Sequence, residues 1–369
     1  KDAKAHSLFA RYLNDLIQKG LKENKDDLEM NEQLEQFIRV IQGLLNKDMF
    51  IDTYKNLIAP RVLETEKFDL DKKFLQDLTS LWGVMDVGKI TRMFDDIGTT
   101  EELHSKWASK GMSGIEIKTQ VLALPNWPQK MFLKGKLIQQ LKDAIQPFLL
   151  FYQAQPGGAK TRLEWVLNYG SAELRAKFDK SYTLIVSPIQ LSLLLLLEER
   201  KTIRFCDLKT SILEEKQDEK EKNSGDDRRL MNDILVLCGL KIVTKSGKDK
   251  EVDPNDKLEI NQDFTNRSTR VKCNLRLKSN EIAMSSTAMQ EIEKVVIQER
   301  QHVLDSVIVR IMKSRKRLML NDIIEEGIKL IQGFRPELID FKKRIESLIE
   351  REYLERSESD KNEFIYKPQ

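Results

Sequence analysis

Apolar residues recur every three or four positions through the first hundred residues, which is the spacing of helices that bury one face. Successive stripes of this kind favour a helical bundle over residues 1–116. Pro60 is expected to end or kink the third helix, and Gly83 to break the helical stretch that follows. The segment Thr99–Glu102 has the composition of a further helix start. The stripes consist of Leu8, Tyr12 and Leu16; Leu34, Phe37, Ile38, Ile41, Leu44 and Leu45; and Phe50, Tyr54, Leu57 and Ile58.

The pattern changes near residue 117, where apolar and polar residues begin to alternate as they do in strands. The alternation predicts a strand over 117–121, and two more strands are predicted over 162–167 and 182–186. Helical spacing returns between Leu137 and Tyr152. Ser187-Pro188 then offers an N-cap followed by a first-turn proline, so a buried helix is expected to begin there.

Two later segments repeat one order of elements, beginning near Pro188 and near Ile292. Each predicts three helices followed by a hairpin, the order of a winged helix. We therefore predict a mainly α chain with a small mixed α/β part. The helical bundle is followed by an α/β domain that contains a winged-helix unit (117–283). A C-terminal winged-helix domain (284–369) completes the predicted order.

Composition narrows the possible chemistry. Lys and Arg number 62 and Asp and Glu 59, so the net charge is +3 and no global field favours nucleic acid or an anionic membrane. The three cysteines and three histidines are scattered, which disfavours disulfides and a metal site. Phosphate-loop, nucleophile-elbow and zinc-protease motifs are missing. We predict no catalytic residue, no metal ligand, no cofactor and no membrane span.

Four segments resemble the cullin family in order and spacing along nearly the whole chain. The third is the most specific, since it is similar to the family's carboxy-terminal motif Ile-Val-Arg-Ile-Met-Lys-x-Arg-Lys. The chain therefore resembles the carboxy-terminal half of a cullin. The segments are Lys89–Gly98; Val121-Leu122 with Asn126-Trp127-Pro128; Ser306–Lys316; and Arg351–Arg356.

This resemblance implies a non-catalytic scaffold of a multisubunit RING ubiquitin ligase, located in cytoplasm and nucleus. The implied partners are a RING-box protein, which would carry the zinc, and a ubiquitin-conjugating enzyme. The ubiquitin-like neddylation modifier with its enzymes, a deneddylase and exchange-factor regulators would also bind. Substrate adaptors would attach through an amino-terminal half that this sequence lacks. The cullin paralogue stays undetermined.

The resemblance also implies that Lys313 receives the neddylation modifier through an isopeptide bond. The residues themselves agree, because Leu304, Val307, Ile308 and Ile311 form a stripe about 180° from Lys313 on a helix. Lys313 should then face solvent. Four basic neighbours are expected to attract an acidic surface of the modifying enzymes. They are Arg310, Arg315, Lys316 and Arg317.

Two partner surfaces are implied in the mixed domain. A cullin-like domain is expected to bind its RING-box partner by accepting a partner strand. The candidate residues are Arg162, Leu163, Trp165, Leu167, Tyr182 and Leu184, and Trp165 is as well explained by ordinary core packing. A basic patch for the acidic tail of a conjugating enzyme would comprise Arg267, Arg270 and Lys272, which is less dense than the family pattern.

Two alternatives remain open. The first is a winged-helix nucleic-acid-binding protein that uses Lys342, Lys343 and Arg344, although interleaved glutamates and a near-zero net charge argue against it. The second is a structural helical adaptor in which Lys313 has no role. In the cullin-like interpretation, the segment 278–287 is expected to be the hinge about which the last domain moves.

Overall fold

A computed structural model describes residues 5–23, 27–64, 68–108, 117–128, 131–213, 224–247, 252–274, 286–358, 360 and 362–367. The chain forms two compact units. The first comprises Lys1–Asp95 and Lys278–Gln369, and the second Asp96–Leu277. Bundle and C-terminal domain thus belong to one unit, and the mixed α/β part forms the other. Among the described residues, no helix is long and apolar enough to cross a membrane.

The first unit begins with a helical bundle whose core contains Leu13, Ile17, Phe50, Tyr54 and Phe74, all fully buried. Its helices are α1 (Ala5–Glu23), α2 (Asp27–Ile41), α3 (Lys47–Glu64), α4 (Asp69–Trp82) and the first half of α5 (Val84–Ala108), whose residues from Asp96 onward belong to the second unit. The predicted bundle is confirmed, and so is the break at Gly83, whose φ of 91° suits glycine.

Two local signals in the bundle do not set a helix boundary. Pro60, expected to end or kink α3, does not end it: the helix continues for four more residues, and the buried side chains of Arg61 and Val62 hold its last turn against the core. Thr100 does not start a helix but lies inside α5, where its hydroxyl bonds to the carbonyl of Val121 at 3.0 Å. A local start signal is therefore overridden by a tertiary hydrogen bond.

A buried ion pair fixes the end of α3 to α4. The Arg61 guanidinium donates to both carboxylate oxygens of Asp71 at 2.5 and 2.7 Å, and the Tyr54 hydroxyl donates to the same carboxylate at 2.8 Å. The Asp71 side chain is fully buried and that of Arg61 is 8% exposed. A charge in such a place is tolerable only while it is paired.

In the second unit the predicted strand over 117–121 is wrong. This segment forms no ladder, because its backbone is held by side chains of α5: Thr100 bonds to both the N–H and the carbonyl of Val121. The following 3₁₀ turn, Leu124–Asn126, is also tied to α5, since Asp96 accepts hydrogen bonds from Ala123, Asn126 and Trp127. Helix α6 (Gln139–Gln153) then matches its prediction.

The predicted strand over 162–167 is wrong as well. Its pairing is confined to residues 133–135: an isolated bridge joins Val166 to Lys134, and the Leu167 N–H bonds to the Leu133 carbonyl at 2.9 Å. The sheet lies farther along the chain, with β1 (Ala172–Lys177) antiparallel to β2 (Ser181–Val186). The strand predicted over 182–186 is thus confirmed as β2, whereas β1 was not predicted.

Helix α7 (Pro188–Arg200) begins with the predicted cap. Ser187 Oγ accepts from the Gln190 N–H at 3.2 Å, and the Gln190 side chain accepts from the Ser187 N–H at 2.9 Å. The next elements are β3 (Thr202–Arg204), α8 (Phe205–Ile212), α9 (Ser224–Gly239), β4 (Val243–Lys245) and β5 (Lys257–Ile260). They form a winged-helix unit with strand order β3-β5-β4, and β6 (Arg270–Lys272) returns to pair in parallel with β2.

The chain ends in a second winged helix that belongs to the first unit. Its elements are α10 (Ser286–Arg315), β7 (Arg317–Met319), α11 (Leu320–Leu330), α12 (Leu338–Glu350), β8 (Leu354–Arg356) and β9 (Glu363–Tyr366). The predicted hairpin of β8 and β9 is confirmed, and β7, which was not predicted, completes the order β7-β9-β8. This order repeats that of the first winged helix.

The two winged helices also share an uncommon backbone feature. Lys201 and Lys316, with φ of 65° and 68°, each follow the first helix of a winged helix. Lys241 and Glu352, with φ of 62° and 63°, each precede its second strand. At the latter pair, the next residue bonds back five positions, Ile242 to Leu237 and Tyr353 to Leu348, as in a Schellman cap. Each winged helix thus has a residue of positive φ at the same two corners, one after its first helix and one before its second strand.

We expect Asp71→Asn to lower the free energy of unfolding by about 3–5 kcal/mol, because it leaves the buried Arg61 charge unpaired. Asp69→Asn is the matched control: Asp69 is exposed in the same helix turn, and the change should be within about 0.5 kcal/mol. Urea unfolding followed by circular dichroism measures both. Equal effects of the two substitutions would contradict a structural role for the buried pair.

Candidate functional site

Lys313 lies in the last turn of α10, and its side chain is exposed. The opposite face of the helix is held in the core of the winged helix by Leu304, Ile308 and Met312, each at most 2% exposed. Packing therefore fixes the rotation of α10 about its axis. The amine of Lys313 consequently projects away from the core, as its position in the periodic pattern predicted.

The basic residues around Lys313 are partly neutralised by their own domain. Arg315 contacts Glu326 at 3.1 Å and Arg317 contacts Glu363 at 3.6 Å, both with more than half of the arginine side chain exposed. The Lys316 ammonium lies over the Tyr366 ring, 5.2 Å from its centroid. No ion pair to a described residue is recorded for Arg310, which is exposed. Such exposed pairs are weak, so a partner can still compete for these cations.

A second charge cluster ties α10 to α12 behind Lys313. Asp305 accepts from Arg344 at 2.7 and 2.6 Å and from Arg351 at 2.5 Å. Burial opposes ionisation of Asp305, but the hydrogen bonds from both arginines outweigh it, so the pKa of this carboxyl is lowered. Its stabilising contribution is present at neutral pH and is lost only as pH falls through that lowered pKa. Arg344, one of the three candidates for nucleic-acid contact, is thus engaged within its own domain.

The first half of α10 packs on the bundle helix α3. Arg300 donates to both carboxylate oxygens of Asp48 at 2.6 and 2.7 Å and to the amide oxygen of Asn46 at 2.9 Å. Its guanidinium also lies 4.6 Å from the centroid of the Phe334 ring, in the loop after α11. In addition, the Asp48 N–H bonds to the Gly333 carbonyl at 3.2 Å. We call these residues the latch, because they join the C-terminal winged helix to the bundle.

A second set of charges lies between the same helices. The Lys89 ammonium contacts Asp52 on α3 at 3.3 Å and also pairs with Glu299 on α10. Burial raises the pKa of Asp52, although Lys89 counteracts it. Burial alone would lower the pKa of Lys89, but Asp52 and Glu299 outweigh it and raise that pKa. The hydrogen bonds and charges therefore favour the docked position of α10.

The six predicted strand-addition residues do not form one open edge. Tyr182 and Leu184 lie on β2, the central strand, and both side chains are 1% exposed in the core. Leu167 is buried there too, and the half-buried Trp165 packs against the same core. Arg162 is exposed and Leu163 half-buried, in the segment that bonds to 133–135. Since β2 is paired on both sides, a partner strand would have to use another edge.

The hydrogen bonds of β2 identify that edge. Thr183 N–H bonds to the Thr269 carbonyl at 2.7 Å, and the Ile185 carbonyl accepts from Cys273 N–H at 2.8 Å, so both residues direct their backbone groups toward β6. The alternate residues of β2 therefore bond to β1, through Ala172, Leu174 and Ala176 by register. Consequently Glu173, Arg175 and Lys177 point their N–H and C=O groups toward the open side of β1. No described strand covers that side.

The register also adds two residues of β1 to the basic patch predicted from sequence. Arg175 lies opposite Thr183, which lies beside Arg270, so exposed side chains of β1 and β6 share one face of the sheet. This basic face carries Arg175, Lys177, Arg270 and Lys272, and its acidic member is Glu173, which pairs with Arg270 at 2.5 Å. Arg267 is exposed just before β6. The sequences of β1 and β6 did not indicate that these short strands would lie in one sheet, on the two sides of β2.

Two expectations stay outside what these observations test. The predicted hinge 278–287 lies almost entirely outside the described residues, which resume at 286. The second expectation concerns Lys342 and Lys343, two of the three candidates for nucleic-acid contact, which are exposed on α12. Within the described part of the chain, no three His, Cys, Asp or Glu side chains are arranged to hold a metal ion.

Comparison with known families follows the same division of the chain. Residues 1–104 match the cullin alpha solenoid domain, 121–264 the cullin alpha+beta domain and 299–360 the cullin protein neddylation domain. The three matches occur in one order and leave only short gaps. The chain belongs to the cullin family.

Individual relatives agree. The chain is 27% identical to Cullin-1 of Oryza sativa subsp. japonica, over 97% of this chain and 47% of that protein. It is 28% identical to Cullin-3A of Arabidopsis thaliana (99% and 49%) and 29% identical to Cullin-4A of Homo sapiens (98% and 47%). The chain therefore spans about half the length of these curated relatives.

One solved structure is described as "A Dual E3 Mechanism for Rub1 Ligation to Cdc53: Dcn1(P)-Cdc53(WHB)". Its matching chain is 31% identical, with a TM-score of 0.21, and the match covers 23% of this chain and 96% of that chain.

We expect Arg300→Ala and Asp48→Ala each to lower the free energy of unfolding by about 1–3 kcal/mol, because each removes a charge-assisted, bidentate pair. The double variant should cost less than the sum of the two, since the second substitution has no pair left to break. Arg310→Ala, on the exposed face of the same helix, is the control and should change stability by less than about 0.5 kcal/mol. Additive effects in urea unfolding would show that the latch residues do not interact.

Proposed function

We propose that this chain is the part of a cullin scaffold that assembles a RING ubiquitin ligase and is switched by neddylation of Lys313. The single observation that carries the proposal is the exposed Lys313 on a helix whose opposite face is locked in the core, within the match to the cullin neddylation domain. An acceptor lysine needs this combination of an accessible amine and a rigid support.

The chain itself would supply proximity rather than bond-making groups. Holding a conjugating enzyme beside a substrate raises the effective concentration of the reacting groups, and this requires no catalytic side chain in the scaffold. The absence of known catalytic motifs in the sequence is in keeping with this role.

The RING-box subunit would bind the second unit by adding a strand to the open side of β1. Six residues of β1 are available, which is long enough for an ordinary strand pairing. Main-chain hydrogen bonds to Glu173, Arg175 and Lys177 would supply affinity. The proposed edge replaces β2, whose two sides are already paired.

The basic face of the same sheet would attract an acidic segment of the ubiquitin-conjugating enzyme. Arg175 and Lys177 extend the patch first expected at Arg267, Arg270 and Lys272. Since these charges are exposed, their main effect would be on the rate of association, and the effect should weaken with salt.

The latch would provide the switch. Arg300 lies 13 residues before Lys313, about 20 Å along the helix, so a modifier at Lys313 need not touch the latch to influence it. New contacts made by the modifier would favour the released position of the winged helix over the docked one. A latch of partly exposed charges, 23% for Arg300 and 20% for Asp48, is weak enough to be opened in this way.

The central prediction concerns the acceptor. The chain bound to its RING-box partner and supplied with the neddylation enzymes should form one adduct, at Lys313, mapped by mass spectrometry. Lys313→Arg should abolish it, because a guanidinium stays protonated and cannot act as the nucleophile. Lys342→Arg, at an exposed lysine of the same domain, is the control and should leave the adduct unchanged. An adduct that persists at the same yield in Lys313→Arg would reject the assignment.

The strand-addition site can be tested by removing one backbone N–H group, that of Arg175. Arg175→Pro removes the N–H that faces the open side of β1 without removing a bond to β2. Arg175→Ala removes the same side chain and keeps the N–H. We expect the proline variant to weaken RING-box binding at least tenfold in a calorimetric titration, and the alanine variant to bind within about threefold of the original chain. Equal affinities for both variants would place the RING-box partner elsewhere.

A further inference from the structure

The residue three positions after Lys313 has a left-handed backbone. Lys316 has a φ of 68°, a conformation that L residues other than Asn and Asp rarely adopt. Its N–H bonds to the Met312 carbonyl at 2.8 Å, and its own carbonyl accepts from the Tyr366 N–H at 2.8 Å. Lys316 therefore ends α10 and starts the pairing with β9 in one step.

The pairing that begins at Lys316 leaves little freedom to the helix end. Arg317 lies opposite Ile365 and Leu318 opposite Phe364, and Leu318 packs against the core of the domain. If residue 316 kept helical dihedral angles, the chain would continue along α10 and these pairs would be lost. The left-handed turn is thus what allows Lys313 to lie in the last ordered turn of the helix.

The first winged helix makes the same turn after its first helix, but it has no lysine at the position that corresponds to Lys313. Lys201 has a φ of 65°, and its N–H bonds to the Leu197 carbonyl at 2.9 Å. The residue three positions before it is Glu198, in the place that Lys313 occupies in the last domain. The corner is therefore a property of the fold, and the last domain places an amine on it.

We infer that Lys316 is a positioning residue for Lys313, acting through its left-handed backbone and not through its charge. The inference rests on the proposed function of Lys313 as acceptor. In the transfer, the neutral amine of Lys313 attacks the thioester carbonyl carbon. A C–N bond forms and the C–S bond breaks. The sulfur leaves as the enzyme's thiol, and water carries the proton from the amine to it. Such an attack is sensitive to small displacements of the nucleophile, so an ordered helix end should increase its rate.

A matched set of uncharged substitutions separates backbone from charge. Lys316→Gly removes the charge and its contact with the Tyr366 ring but tolerates the positive φ, because glycine has no Cβ. Lys316→Val removes the same charge and disfavours the turn, because a β-branched residue clashes there. Lys201→Val applies the same strain to the other winged helix, where no acceptor is present.

The measurement is the single-turnover rate of modifier transfer to Lys313 in the complex with the RING-box partner, well below each variant's melting temperature. Both variants lack the Lys316 charge, so the Gly variant is the reference for the Val variant. The Val variant should be at least tenfold slower than the Gly variant in the maximal rate, with the same KM for the charged conjugating enzyme. Lys201→Val, with RING-box binding checked, should lower the melting temperature yet leave the transfer rate unchanged.

The outcomes are distinct. Equal rates in the Gly and Val variants, both below that of the original chain, would assign the effect to charge and overturn the inference. An unchanged rate in the Val variant, with the original chain modified at Lys313, would overturn the inference alone and leave the proposed function standing. Absence of an adduct at Lys313 in the original chain would overturn both.

Discussion

The bidentate pair between Arg300 and Asp48 sets the arrangement of the first unit. It joins residues 252 positions apart, and no local preference of the chain would bring α10 to α3. Asn46 and Phe334 complete the environment of the guanidinium, so Arg300 uses its donors and its flat face together. With α10 held at this point, the position of every residue farther along the helix, Lys313 included, follows from helix geometry.

The pair is well suited to a reversible contact. Both side chains keep about a fifth of their surface in water, so the energy gained by pairing is partly returned as hydration when they separate. The pair of Arg61 and Asp71 is different, because Asp71 is fully buried and its separation would leave a charge in the core. The unit therefore contains one ion pair that the bundle cannot lose and another that it can exchange for other contacts.

The elements that could be predicted from sequence are those specified locally. The capping box at Ser187, the break at Gly83 and the exposure of Lys313 all depend on residues within a turn or two. Pro60 does not end its helix and Thr100 does not start one, because tertiary contacts of Arg61 and Val121 outweigh the local preference. The strands β1 and β7 were missed, since strands of three to six residues have partners far along the chain and little periodicity of their own. The candidate site divides in the same way, because the exposure of the proposed acceptor Lys313 is a local feature whereas the open edge and the basic face exist only through register.

The repeated winged helix places the proposed acceptor Lys313 and a glutamate at equivalent corners of two similar folds. Both units use the same strand order and the same two left-handed positions, so the backbone offers two equivalent places for an exposed side chain on the last helical turn. Glu198 occupies one and Lys313 the other. A carboxylate cannot attack a thioester to form a stable amide, so the fold alone does not make an acceptor. The proposed distinction lies in one side chain on a shared frame, which in both winged helices is followed three positions later by a residue of positive φ.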